Sequence, residues 1–165
     1  MPAAPIPQPT VIIIDDDEGM RESISSLVRS VGFQAKTLTS VDQFRQLGPP
    51  GGPACLVLDV RLPGKSGLDL QRELVASRIR LPIIFITGHG DIPMSVQAMK
   101  DGAIEFLPKP FRDQDLLDAI QLGLARDEAR LQEEKSTAAL RTRFRSLTAR
   151  EREVMAGVVA GRLNK

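Results

Sequence analysis

Four short apolar runs, each ending in a polar residue of a chemically capable type, constrain this chain more than any other feature. Residues 11–14 (VIII) run into three aspartates and residues 54–58 (ACLVL) into Asp59. Residues 83–86 (IIFI) run into Thr87-Gly88, and residues 103–107 (AIEFL) into Pro108-Lys109-Pro110. A weaker fifth candidate covers residues 33–38. Short continuous apolar runs suit parallel strands covered on both faces. Helical patterns separate them. Met20, Ile24, Leu27, Val28 and Val31 share one helical face, with Gly32 as the stop. Ser40-Val41-Asp42-Gln43 reads as a capping-box start, followed by Phe44 and Leu47. Ser66 opens a segment with Leu70, Leu74 and Val75, and Pro93 opens residues 94–101, which Gly102 closes. Asp113 caps a segment with Leu116, Leu117, Ile120 and Leu124. Five strands alternating with five helices predict an α/β fold, a doubly wound five-stranded parallel sheet. Such sheets bind ligands outside the carboxyl ends of their strands. Asp15, Asp16, Asp59, Thr87 and Lys109 all fall there.

Composition narrows the function classes. A formal net charge of +1 selects no partner, so a nucleic-acid site would have to be local. Cys55 is the single cysteine, which allows no intrachain disulfide or zinc cluster and fits a reducing cytoplasm. No apolar run approaches the ~20 residues that span a bilayer, so no membrane partner is expected. The Pro-rich residues 1–9 lack a signal-peptide pattern and read as a disordered lead-in. The main domain is expected over residues 10–125. Residues 126–146 are rich in helix formers and alternating charge, a C-terminal helical extension that reads equally as a self-associating linker or as a solvated helix or coil. Thr148-Ala149-Arg150-Glu151 makes a second capping box, with Val154, Met155 and Val158 at helical spacing.

Three carboxylates, a hydroxyl and an ammonium can do specific chemistry together. Mg²⁺ takes oxygen ligands, usually one or two carboxylates with waters and phosphate oxygens. Asp16 and Asp59 can supply the carboxylates, and Asp15 can hold a metal-bound water. A carboxylate can also attack phosphorus to form an aspartyl phosphate. Adjacent Asp15 and Asp16 serve best as a metal pair, which leaves Asp59, alone at the end of the middle strand, as the nucleophile. Lys109 adds positive charge and Thr87 a donor. Taken singly, each residue is ordinary: an Asp run as a turn or cap, a threonine in a turn, a lysine in solvent. Their conjunction at four strand ends of one sheet is not. Arg61 and His89 each lie two residues beyond an active-site residue, where they can tune the loss of a phosphoryl group. No second histidine or cysteine stands ready to make His89 a metal ligand.

The motifs IIIDDDEGMR, LVLDVRLPGKSG, FITGHGD and FLPKPF resemble a two-component response-regulator receiver of the FixJ/NarL type, over residues ~10–125. The resemblance implies the flavodoxin-like strand order. It implies an acidic pair at Asp15 and Asp16, aligned through Arg21 although Asp17 could shift the pair by one, and Mg²⁺ (with Mn²⁺ a possible substitute) as the metal. It further implies a phospho-acceptor at Asp59, a metal-ligating backbone carbonyl at Arg61, and Lys109 as the phosphate partner. Thr87 and Phe106 would be the switch pair, with Phe106 otherwise a core residue, and Lys109-Pro110 would be cis. The donor would be a phosphohistidine on a sensor histidine kinase. Phosphorylation would drive homodimerisation through the fourth helix and fifth strand, with Met94, Val96 and Met99 contributing. Residues 147–165 resemble the opening of a LuxR-type helix-turn-helix domain, truncated before its recognition helix, so DNA binding is expected only of a full-length parent. Two rivals share the fold. A haloacid-dehalogenase-type phosphatase needs an Asp-x-Asp pair, which Asp15 and Asp17 satisfy, but cap insertions are absent and Asp59 is left without a role. A nucleotide or flavin module would need a glycine-rich phosphate loop, and none occurs.

Overall fold

A computed structural model of the chain describes residues 7–161. Five parallel strands form one sheet in the order β2-β1-β3-β4-β5. They are β1 (Thr10–Ile14), β2 (Gln34–Leu38), β3 (Ala54–Asp59), β4 (Ile83–Thr87) and β5 (Glu105–Pro108). The helices between them are α1 (Glu18–Ser30), α2 (Val41–Arg45), α3 (Gly67–Ala76) and α4 (Ile92–Lys100). α5 (Asp113–Ser146) and α6 (Ala149–Val159) follow.

The sheet has a core on each face because successive side chains point to opposite sides. Val11, Ile13, Cys55, Val57, Ile84 and Ile86 pack with Ile24 and Val28 of α1 and Leu116, Ile120 and Leu124 of α5. Ile12, Ile14, Leu56, Leu58 and Phe85 pack with Val41 of α2, Leu70 and Leu74 of α3 and Ala98 of α4. Burial on both faces explains why β3 and β4 read as unbroken apolar runs. β2 read weakly because it is an edge strand with Gln34, Lys36 and Thr37 exposed. β5 begins later than its apolar run. Gly102, at φ 101°, takes the chain out of α4, and Ala103 N donates back to Ala98 O at 3.1 Å, so pairing starts only at Glu105.

Local signals operate with small displacements. Ser66 and Thr148 make reciprocal capping boxes with Asp69 and Glu151. Ser40 Oγ accepts from Gln43 N, but the Gln43 side chain accepts from Thr39 N, so that box closes one residue early. Asp91, rather than Pro93, caps α4, and Pro93 stands in its first turn. α5 starts at Asp113 itself, whose charge favours the first turn rather than capping it. Farther along α5, Asp127 is buried, and one of its oxygens accepts from Ala54 N at 2.8 Å, the first amide of β3.

The chain divides between Ala129 and Arg130 into two compact units. The second contains the distal part of α5, exposed throughout residues 132–146, and α6, none of whose residues is buried. There the Arg152 guanidinium lies 5.8 Å from the Phe144 ring centroid and donates to Arg145 O at 3.0 Å. Among the described residues, no helix is long and apolar enough to cross a membrane.

Candidate functional site

The carboxyl ends of β1, β3, β4 and β5 bring the expected polar residues together. Asp15 follows β1 and has no solvent exposure. Its Oδ1 accepts from Asp17 N at 2.9 Å and its Oδ2 from Lys109 Nζ at 2.8 Å, so both oxygens are engaged. Its backbone carbonyl accepts from Arg21 Nη1 at 2.7 Å, which fixes the turn into α1. Asp16 is exposed, and no hydrogen bond to its carboxylate occurs among the described residues. Asp17 caps α1 by accepting from Met20 N at 3.0 Å. That work leaves it outside the acidic group and removes the second carboxylate that an Asp15-x-Asp17 pair would need.

Asp59 closes β3 and is 6% exposed. Its Oδ1 accepts from Arg61 N at 3.1 Å, and its Oδ2 accepts from Lys109 Nζ at 3.2 Å. One carboxylate oxygen each from Asp15, Asp16 and Asp59 lie within 4.8 Å of one another. Three converging hard donors, one of them free and exposed, fit a small divalent cation such as Mg²⁺ or Mn²⁺. Burial pushes the Asp59 carboxyl above its ordinary range; the Arg61 amide opposes this, the Asp15 charge adds to it, and Lys109 opposes it. Burial pulls the Lys109 ammonium down, but the Asp15 hydrogen bond and the charges of Asp15 and Asp59 overcome it and leave the group above its ordinary value. A positive bridge between two carboxylates is therefore held in the site.

Thr87 ends β4 and is 1% exposed. Its Oγ1 accepts from His89 N at 3.2 Å, and its carbonyl accepts from Lys109 N at 2.7 Å. The side chains of Arg61 and His89 are exposed. The Lys109-Pro110 bond is cis. Phe106 packs against the core as expected but stays half-buried. It lies on β5, the other edge of the sheet, with its ring 6.1 Å from that of Phe85 at a 44° tilt.

Gly88 was expected to leave the site open, whereas Gly67 and Gly90 carried no readable signal. A Cβ on Gly67 would strike the Asp59 carbonyl oxygen, so the first turn of α3 lies directly against the Asp59 backbone. In sequence this glycine marks only a helix start. Gly88 has nothing within 4 Å of where its Cβ would be, which leaves the edge of the site open, whereas Gly90 is crowded. A sequence cannot separate two glycines two residues apart on that ground.

Comparison with known proteins agrees with this fold. The model of the response regulator receiver domain family matches residues 11–121. Nodulation protein W of Bradyrhizobium diazoefficiens is 50% identical over 155 residues, covering 94% of this chain and 68% of that protein. Transcriptional regulatory protein FixJ of Azorhizobium caulinodans is 41% identical over 155 residues, covering 94% and 74%. The solved structure of response regulator StyR matches with a TM-score of 0.85 and 48% identity, over 93% of this chain and 78% of that one. The sequence alignments run longer than the stretch that the receiver model covers.

Proposed function

Since the chain belongs to the response regulator receiver family, a phosphorelay family, we propose that it takes a phosphoryl group on Asp59 from a sensor histidine kinase in the cytoplasm and passes the signal on by a switch at Thr87 and Phe106. The observation that carries this reading is the Lys109 ammonium shared by Asp15 and Asp59, with Asp16 free beside them. Asp16 and Asp59, with the Arg61 carbonyl, would hold Mg²⁺ or Mn²⁺, which neutralises the oxygens of the transferring group. An Asp59 oxygen forms the new O–P bond as the P–N bond of a phosphohistidine breaks, and the leaving imidazole is left to take up a proton. Arg61 N orients the Asp59 carboxylate. Lys109, positive and partly desolvated, turns from Asp59 toward the phosphoryl oxygens. Thr87 keeps its hydroxyl hydrogen for donation because its oxygen already accepts from His89 N. Arg61 and His89, exposed at the rim, set how fast water removes the group.

For the kinase, a cleft of about 150 Å³ lined by Met20, Ile24 and Leu27 of α1 and by Pro110 and Phe111, with Ser23 and Asp113 as polar lining, offers a mixed seat on the elements that follow Asp17 and Lys109. For the output, the exposed apolar stripe of α4 is Ile92, Val96 and Met99; Met94 packs into the core instead. That stripe, with β5, would form the homodimer. The capping box at Thr148 and Glu151 that opens α6 is what supports reading it as the start of a LuxR-type domain, and DNA would then be a partner of a longer parent protein.

Incubation with Mg²⁺ and acetyl phosphate should give one hydroxylamine-sensitive adduct, mapping to Asp59 and missing from Asp59→Asn. An adduct on Asp16 or Asp17 would overturn the assignment.

A further inference from the structure

Gly90 lies where the loop between β4 and α4 passes both Thr87 and Phe106. A Cβ there would come within 2.7 Å of Phe106 Cε1, 2.8 Å of Thr87 Cγ2 and 3.2 Å of Phe106 Cζ. The backbone does not demand glycine: among the described residues the glycines at positive φ are Gly32, Gly64, Gly102 and Gly161. What glycine supplies at position 90 is space. The crowding belongs to this residue alone in the loop, because Gly88 has no neighbour within 4 Å. Of the two side chains in the way, Thr87 is buried and held through His89 N, whereas the Phe106 atoms are the far end of a half-buried ring on an edge strand, the side that can give way. An added methyl group would therefore evict the ring.

We propose that Gly90 is a positioning residue that sets the resting balance of the switch. Its missing side chain is the seat for the Phe106 ring edge while Thr87 holds its present place. Movement of Thr87 toward a phosphoryl group and the inward turn of Phe106 carry both atoms away from this seat. A methyl group at position 90 is then tolerated after switching and penalised before it. The inference rests on the reading of Thr87 and Phe106 as the switch pair. A side chain that disfavours only the resting form raises the fraction of the active form already present, and a ligand of the active form then binds tighter by the same factor.

The test is a beryllofluoride titration of the full chain with Mg²⁺. Gly90→Ala should bind beryllofluoride roughly fivefold tighter than the parent chain. In a Phe106→Ala background, which has no ring to evict, Gly90→Ala should change the affinity by less than half as much on a logarithmic scale. If Gly90→Ala alone fails to fold, the double variant should fold, since the ring is gone and only the Thr87 methyl group remains against the new side chain. Unchanged or weaker binding by Gly90→Ala, an effect that persists undiminished without the ring, or a double variant that also fails to fold would each overturn the proposal. Failure of the underlying reading looks different: Thr87→Ala and Phe106→Ala would then each leave beryllofluoride-driven dimerisation as in the parent chain.

Discussion

Lys109 Nζ lies 2.8 Å from Asp15 Oδ2, and Asp15 has no exposure to solvent. The lysine is itself only 19% exposed, so this is a largely desolvated pair. Removing one partner of such a pair leaves a buried charge uncompensated, which costs more than the pair contributes. Lys109→Met should therefore lower stability by about 2–4 kcal/mol. Mg²⁺ should recover part of the loss, because a bound cation restores the missing positive charge. Urea melts with and without Mg²⁺ check both halves. A Lys109→Met chain as stable as the parent would mean that the pair contributes nothing to the folded state.

Asp15 and Asp16 should respond differently to removal. Asp16 is exposed and unengaged, whereas both Asp15 oxygens already accept hydrogen bonds. Asp16→Ala should weaken Mg²⁺ binding more than Asp15→Ala and leave the melting temperature near that of the parent. Asp15→Ala should destabilise the chain by about 1–3 kcal/mol, the effect of stranding hydrogen-bond partners in the interior. A metal titration and a thermal melt of each variant separate the two roles, and equal losses of Mg²⁺ affinity would remove the distinction.

Cys55 gives a pH dependence of defined sign. Burial, with the Asp127 charge adding to it, pushes its thiol from the ordinary 9.0 up to about 12. The folded state holds the proton where the unfolded chain releases it. This contribution to stability is complete below pH 9 and is lost as pH rises from there toward 12. Between pH 8 and pH 10 the parent should lose about 1.4 kcal/mol more than Cys55→Ala. Urea melts at the two pH values measure the difference in slope. Parallel slopes would show that the thiol is not desolvated as placed.

The α4 stripe makes a prediction about assembly. Ile92, Val96 and Met99 recur on one helical face and are 79%, 47% and 43% exposed. With beryllofluoride and Mg²⁺ the chain should sediment as a dimer, and Val96→Asp should keep it monomeric while still binding beryllofluoride. A monomer from the parent in both states refutes this interface. Because the exposed helix over residues 132–146 could associate by itself, the comparison is made between states of one chain.

The sequence was most informative where a residue is recognisable by its own chemistry. Asp15, Asp16, Asp59, Thr87 and Lys109 are polar residues placed at the ends of apolar runs, and a strand end is where a parallel sheet collects its ligands. β1, β3 and β4 were legible because burial on both faces leaves no polar interruption. Features that depend on contacts between distant segments were not. Phe106 was legible as a residue that packs on the core, but not its partial exposure, which the edge position of β5 sets. Met94 was expected on the surface and Ile92 was passed over, since α4 begins at Ile92, ahead of Pro93, and Met94 lies on the face opposite Ile92. The crowding at Gly67 and Gly90 is invisible until the Asp59 backbone and the Thr87 and Phe106 side chains that crowd them are in place. Asp127 lay in a stretch of alternating charge with nothing to separate it from its solvated neighbours.

Asp127 has a consequence for the order in which the molecule can be completed. β3 is the middle of the sheet and carries Asp59, yet its opening amide at Ala54 is satisfied by a carboxylate 73 residues later in the chain. During synthesis the strand emerges long before the group that secures its first residue. The sheet is left with an unmet donor in its centre until residue 127 has cleared the ribosome, and a fragment ending at residue 125, where the strand–helix alternation is complete, would never close it. Such a fragment should open from the amino end of β3, the end farthest along that strand from Asp59, so fraying would begin away from the chemistry.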